Sequence, residues 1–222
     1  MLQRSVVEQL VREAIHGRFS QPPSPASRAA AAPNPLVVNV SARHCHVTQE
    51  ALEVLFGKGH QLKPTKDLYQ KGYFAAEETV TLIGPKSRVI SNLPILGPCR
   101  TINQVELAFT DAISLGFDIP VRISGNIKDT PGCMLMGPNG FFEMPEGVIR
   151  AKRHVHLSLE DAAYYGVKQG DMMKLRVGGE CGATLENVAC RVDKTVRLEV
   201  HIDTDEGNAV NLQPESKVEL LK

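Results

Sequence analysis

Four of the chain's seven histidines sit in two His-x-His pairs, His44/His46 and His154/His156. In an extended strand, residues two apart point to the same face at about 6.5–7 Å separation. Two imidazoles so placed can both reach one cation at about 2.0–2.1 Å. The pairs belong to an internal repeat. Ser41-Ala42-Arg43-His44-Cys45-His46-Val47-Thr48-Gln49-Glu50 recurs as Ala151-Lys152-Arg153-His154-Val155-His156-Leu157-Ser158-Leu159-Glu160, displaced by 110 residues. The alternative to metal binding is a duplicated pair of surface histidines kept by descent. Glu106 and His201 are the further candidate donors. An economical grouping puts His44, His46 and Glu106 on one ion and His154, His156 and His201 on another. Three imidazoles with one open position is the catalytic arrangement of zinc, whereas a closed set of four is structural.

Other reactive residue types are fewer. Arg100 follows the Gly97-Pro98 turn and precedes the segment holding Glu106. A guanidinium there can grip an oxyanion bidentately, which lysine does less well. Arg43 and Arg153, each beside a His pair, have carboxylate pairing as an equal alternative. Cys45, between two candidate ligands, should face away from them as a small buried hydrophobe, and Cys99 reads as structural. His16 and His60 belong to no constellation. No Gly-x-Ser-x-Gly elbow is present, so the attacking group is water or a second substrate.

The elements that must position these residues are mainly short strands. Leu36–Val40, Thr79–Ile83, Val121–Ile123, Lys174–Val177 and Arg197–Ile202 are β-rich runs, separated by turn signals such as Gly84-Pro85, Pro131-Gly132 and Gly178-Gly179. From residue 36 onward, helices are expected only over about 48–57, 102–115 and 158–165. In each copy of the repeat, Thr48 or Ser158 can cap the helix that follows. The pattern predicts barrels or sandwiches with small capping helices, not a doubly wound sheet. Residues 2–19 read as an amphipathic helix, with Leu2, Val6, Leu10 and Ala14 in one row and Val7, Val11 and Ile15 in the next. Residues 20–35 hold five Pro, five Ala and three Ser, which predicts an extended tether. A helix on such a tether must dock on its own body, on a copy of itself or on a partner.

Composition narrows the function classes. Lys plus Arg and Asp plus Glu are each 25, so no basic excess points to phosphate neutralisation on nucleic acid. Hydrophobic residues at 42% suffice for a core. No run reaches the roughly 18 apolar residues that span a bilayer. Five cysteines without a C-x-x-C pair make a poor disulfide framework and a poor thiolate zinc site. The charged N-terminus lacks a secretory core. Together these predict a reduced, cytosolic-type compartment.

Several motifs in order form a distinctive set: Arg43-His44-Cys45-His46-Val47-Thr48, Phe74-Ala75-Ala76-Glu77-Glu78-Thr79-Val80, Gly97-Pro98-Cys99-Arg100 and Gln104-Val105-Glu106. They continue through Ala151-Lys152-Arg153-His154-Val155-His156-Leu157-Ser158 and His201-Ile202-Asp203-Thr204-Asp205-Glu206-Gly207-Asn208. Over about residues 36–222 the chain resembles the PduL-type phosphate propanoyltransferases (phosphotransacylases) of bacterial microcompartments. The resemblance implies two related β-barrel domains capped by short helices: residues 36–43 with 151–222 in one, and 44–150 in the other. It implies two divalent metal ions, normally zinc, held by His44, His46, Glu106, His154, His156 and His201. It implies phosphate on Arg100, and coenzyme A lined by Ser41, Lys66, Leu96 and Asn208. The implied reaction is acyl-CoA plus phosphate to acyl phosphate plus CoA, with propanoyl-CoA as the expected acyl donor in propanediol degradation. Residues 1–19 on the 20–35 linker look like an encapsulation peptide. That implies microcompartment shell or cargo partners, a place inside a microcompartment of the bacterial cytoplasm, and a capacity for homo-oligomers. Cys45, Gly207 and Pro94 depart from the family pattern, the last at a position often basic. The rival readings are a zinc-dependent thioester or ester hydrolase and a non-catalytic, metal-stabilised assembly module.

Overall fold

The computed structural model describes residues 32–222, so the expected N-terminal helix and most of the linker lie outside the described residues. The described chain is mainly β. The strands are β1 (Val37–Ser41), β2 (His44–His46), β3 (Pro64–Asp67), β4 (Phe74–Ile83), β5 (Val89–Gly97), β6 (Gln104–Glu106), β7 (Val121–Arg122) and β8 (Cys133–Met136). They continue as β9 (Phe141–Met144), β10 (Val148–Ala151), β11 (His154–Leu157), β12 (Met172–Val177), β13 (Ala183–Val192), β14 (Glu199–Asp203) and β15 (Val218–Leu221). Four short helices intervene: α1 (Gln49–Phe56), α2 (Phe109–Leu115), α3 (Leu159–Tyr165) and α4 (Thr204–Ala209).

The strands form two curled half-barrel sheets. The six-stranded sheet runs β1-β14-β11-β13-β12-β15, and the nine-stranded one runs β7-β10-β6-β2-β5-β4-β8-β9 with β3 added on β4. Alternating apolar residues of each sheet fill a separate core. Leu82, Leu93, Ile95, Val105 and Leu135 are fully buried or nearly so in one, and Val155, Leu157, Met173, Leu175 and Val200 in the other. β1 leaves the neighbouring β2 and pairs in parallel with β14, Val37 opposite Glu199. Among the described residues no helix is long and apolar enough to cross a membrane.

The repeat is realised as β-strand, cap and helix in both copies. Thr48 Oγ1 accepts from Ala51 N at 3.1 Å to start α1, and Ser158 Oγ accepts from Asp161 N at 3.1 Å to start α3. Two expectations need correction. The stretch 102–115 is not one helix: Gln104–Glu106 is β6, inserted between β2 and β10, and only Phe109–Leu115 is helical. Pairing on both sides overrides an apolar spacing that also suits a helix. α4 was not expected, because Gly207 and Asn208 are poor helix formers. The Asp203/Glu206 capping box starts it, and Gly207 lets it lie on β1, where an added Cβ would meet Val40 Cγ2 at 2.8 Å.

Gly97, at the end of β5, lies under the Phe74 ring, where an added Cβ would fall 2.3 Å from Phe74 Cζ. Gly97→Ala should therefore cost about 1–3 kcal/mol through overpacking. Thermal melting checks this, with a midpoint several degrees below wild type as the expected result.

Candidate metal centre

Register places the candidate donors. In the nine-stranded sheet β2 runs antiparallel to β6, setting His44 opposite Glu106 and His46 opposite Gln104. In the six-stranded sheet β11 runs antiparallel to β14, setting His154 opposite His201 and His156 opposite Glu199. Facing residues on paired strands share a face, so each pair of strands gathers three donors. The ligand atoms of His44, His46 and Glu106 lie within 4.8 Å of one another, as do those of His154, His156 and His201. The predicted residues are thus brought together in the predicted groups of three.

Local hydrogen bonds set the imidazoles. His44 Nδ1 donates to Ala42 O at 2.8 Å and His154 Nδ1 donates to Lys152 O at 3.0 Å, the same bond in both copies of the repeat. His46 Nδ1 donates to Leu96 O at 3.2 Å. These bonds leave the Nε2 lone pairs of all three rings free, as metal ligation needs. His154 Nε2 and His156 Nε2 are 3.2 Å apart. That is close to the roughly 3.3 Å between ligand atoms of a tetrahedral ion bound at about 2.0–2.1 Å. His201 Nε2 is buried and has no hydrogen-bond partner among the described residues. Glu199 Oε2 lies 3.0 Å from it, but out of line for a ring N–H. A shared cation answers both observations, so the donor sets fit divalent ions that accept nitrogen and carboxylate.

The electrostatics agree with neutral imidazoles at neutral pH. Burial first, then the neighbouring His44 and Arg100, pushes His46 down to about 3. Burial and His201 push His154 down to about 4, and burial with His154 and His201 pushes His156 down to about 2. Burial alone would raise Glu106, but the two imidazoles, the Ser124 hydroxyl and Arg100 hold it below the usual carboxylate range. Each of these three imidazoles binds protons more weakly folded than unfolded. The stabilisation is therefore present above about pH 6.5 and is lost as pH falls through that value towards 4. Chelator-treated protein should lose stability to urea between pH 7 and pH 5, by about 1–2 kcal/mol per histidine. Urea midpoints across that range check the sign, and restored metal should move the loss to lower pH.

Arg100 stands beside the first cluster. Its backbone N–H donates to Val47 O at 2.9 Å, and Asn103 Oδ1 accepts from Thr48 N at 2.7 Å, so the 100–103 turn is tied to the end of β2. Arg100 Nη1 donates to Ser124 Oγ at 3.3 Å, and among the described residues no carboxylate pairs with the guanidinium. Ser124 Oγ in turn donates to Glu106 Oε1 at 3.0 Å. Burial lowers the Arg100 pKa, as it does that of His154 in the other sheet; in both cases Glu106 opposes the shift and Arg191 adds to it. The two clusters therefore lie within electrostatic reach of each other.

The other expected residues divide. Ser41 ends β1 and Asn208 lies on α4, which packs on β1. Lys66 and Leu96 flank Ala75 of β4 from either side. Arg43 and Arg153 take the carboxylate alternative, with Asp111 at 2.7 Å and Glu206 at 2.8 Å. Cys45 is fully buried in the core and turned from the donors, and its thiol pKa is raised by burial. His60, unassigned from sequence, pairs with Glu78 at 2.7 Å.

Sequence reasoning missed Ser124, Glu199, Gln70 and Arg191. Arg191 lies opposite His156 on β13, on the same face, and no carboxylate pairs with it among the described residues. Only knowledge of the register could have found it. A surface cavity lined by Gly178, Cys181, Asn211 and Lys217 shares no residue with either cluster.

Set against known proteins, the chain that carries these two clusters and Arg100 falls among the phosphotransacylases. Residues 37–213 match the family model described as phosphate propanoyltransferase. The phosphate propanoyltransferase of Planctopirus limnophila is 57% identical over 225 residues, covering 100% of this chain and 92% of the relative. Those of Thermotoga maritima and Salmonella typhimurium are 48% and 47% identical, over 80% and 79% of this chain and 84% and 83% of the relatives. The chain belongs to the phosphate propanoyltransferase family and is an enzyme of phosphate acyl transfer.

Proposed function

We propose that the protein interconverts a short-chain acyl-CoA, propanoyl-CoA foremost, and phosphate with acyl phosphate and CoA at a centre of two divalent ions, normally zinc. The observation that carries this reading is the pair of three-donor clusters with Arg100 beside them. His44, His46 and Glu106 would hold one ion, and His154, His156 and His201 the other. When bound, such ions supply Lewis acidity at the thioester carbonyl and affinity for the departing sulfur.

The chain's own residues do the rest. Arg100, anchored by Ser124, holds phosphate through its remaining N–H donors and offsets the repulsion between two anionic substrates. An oxygen of hydrogen phosphate attacks the thioester carbon, the C–S bond breaks, the sulfur leaves with the electron pair as CoA thiolate, and the phosphate's proton passes to solvent or to that thiolate. The reverse direction exchanges the same bonds. Ser41, Lys66, Leu96 and Asn208 line the CoA path. Residues 36–43 with 151–222 and residues 44–150 form the two barrels.

Residues 1–19 on the 20–35 linker serve as a docking segment for microcompartment shell or cargo proteins, or for self-association, and place the enzyme in a microcompartment of the bacterial cytoplasm. The Planctopirus alignment, which spans the whole of this chain, extends through that segment. Deleting residues 1–35 should leave turnover intact and abolish co-localisation.

The deciding experiment is release of free CoA thiol from propanoyl-CoA with and without phosphate. Release that requires phosphate is the expected result. Equal release without phosphate would make the protein a thioester hydrolase. No release from metal-replete protein would leave an assembly module.

A further inference from the structure

The two clusters are related by the repeat, and the relation extends to residues whose neighbours in sequence show no likeness. β2 faces β6 as β11 faces β14. His44 therefore corresponds to His154 and His46 to His156, while Glu106 corresponds to His201 and Gln104 to Glu199. At each centre the residue two before the third donor touches that donor. Gln104 Nε2 donates to Glu106 Oε1 at 2.7 Å, and Glu199 Oε2 lies 3.0 Å from His201 Nε2. The chemistry is exchanged between the copies. A carboxylate donor is backed by an amide in one, and an imidazole donor by a carboxylate in the other.

Both backing residues are held hard. Gln104 is fully buried and accepts from Gly125 N at 2.7 Å. Glu199 is 1% exposed. It accepts from Asn39 Nδ2 at 3.1 Å and from Gln70 Nε2 at 2.8 Å. Gln70 comes from the β3–β4 loop of the other sheet and is itself fixed to Arg197, donating to its carbonyl at 2.9 Å and accepting from its N–H at 3.0 Å. Among the described residues no lysine or arginine pairs with Glu199. A buried carboxylate held only by amides and an imidazole needs a positive charge nearby.

We propose that Glu199 is the charge-balancing residue of the second centre, equivalent in charge to Glu106 of the first, and that Gln70 fixes it from the opposite sheet. This rests on the metal-binding reading above. With a divalent ion at each centre, one carboxylate per cluster leaves the two sites with the same formal charge. Without Glu199 the three-imidazole site would keep one more positive charge than its partner. Glu199 Oε2 lies beside the same ring nitrogen of His201 that would face the ion, so the carboxylate acts on the centre through its charge and not by holding a ring N–H.

The test is metal retention by Glu199→Gln, a substitution of nearly unchanged volume. Purified protein is loaded with cobalt(II) and dialysed against graded chelator, and bound metal and visible absorption are followed. Wild type should retain two equivalents. Glu199→Gln should lose one of them at chelator levels about 10–100-fold lower, with an altered absorption band, while the other equivalent behaves as in wild type. Glu199→Asp should recover part of the affinity. Gln70→Ala, which keeps the carboxylate but releases it, should fall between Glu199→Gln and wild type. Wild-type retention and spectrum in Glu199→Gln would overturn the proposal, as would equal loss of both equivalents. Wild type that binds no cobalt would instead remove the metal-binding reading itself.

Discussion

Arg100→Ala should raise the phosphate concentration for half-maximal CoA release on the order of 100-fold, with metal content unchanged. Among the described residues the guanidinium is spent on no carboxylate, and its one side-chain hydrogen bond is to Ser124 Oγ. Its remaining donors are free for an anion, and loss of a buried donor to a charged oxygen costs about 2.7–4 kcal/mol in the transition state. Arg100→Lys should recover only part of the loss, because a point charge does not reproduce a planar fork. Steady-state phosphate titrations with metal analysis on the same preparation separate the two effects. An unchanged phosphate dependence would take Arg100 out of this role.

The larger expected effect is that of His156→Ala. The ring stands 3.2 Å from His154 Nε2 and packs edge-on to His201 at 5.1 Å between centroids. Removing it leaves two imidazoles in place of three, too few for tight binding of a divalent ion at that centre. The variant should lose one metal equivalent, and turnover should fall on the order of 1,000-fold, the equivalent of about 4 kcal/mol. Elemental analysis and CoA release, read together, decide it. Full metal and full turnover would remove His156 from the ligand set.

The donors themselves were legible because the repeat is short-range. A strand, two histidines and a capping hydroxyl fall within ten residues, and local rules place them. The grouping of Glu106 and His201 with those pairs was legible as a guess about which carboxylate and which imidazole were spare. The residues behind the donors were not. Glu199 meets Gln70 across 129 positions, and Arg191 meets His156 through β13. Such neighbours are set by register between strands distant in the chain, which local periodicity does not encode. The same cause explains the misread stretch 102–115, where Val105 and Leu107 suit either a helix or a strand until β2 and β10 are in place. Capping chemistry was available for α4 in the Asp203/Glu206 spacing, but Gly207 and Asn208 masked it.

The pairing of β1 with β14 also imposes an order in time. During synthesis at about 5–20 residues per second, the donors His44, His46 and Glu106 are all present once residue 106 has been made. Val37 meanwhile has no partner until Glu199 emerges, 162 positions later. The first cluster can thus assemble on the ribosome, whereas the second and the sheet that carries it wait for nearly the whole chain. Contacts of such long sequence separation make folding slow. A chain cut short before β14 would therefore carry five of the six donors, lack His201 of the second cluster and leave β1 unpaired.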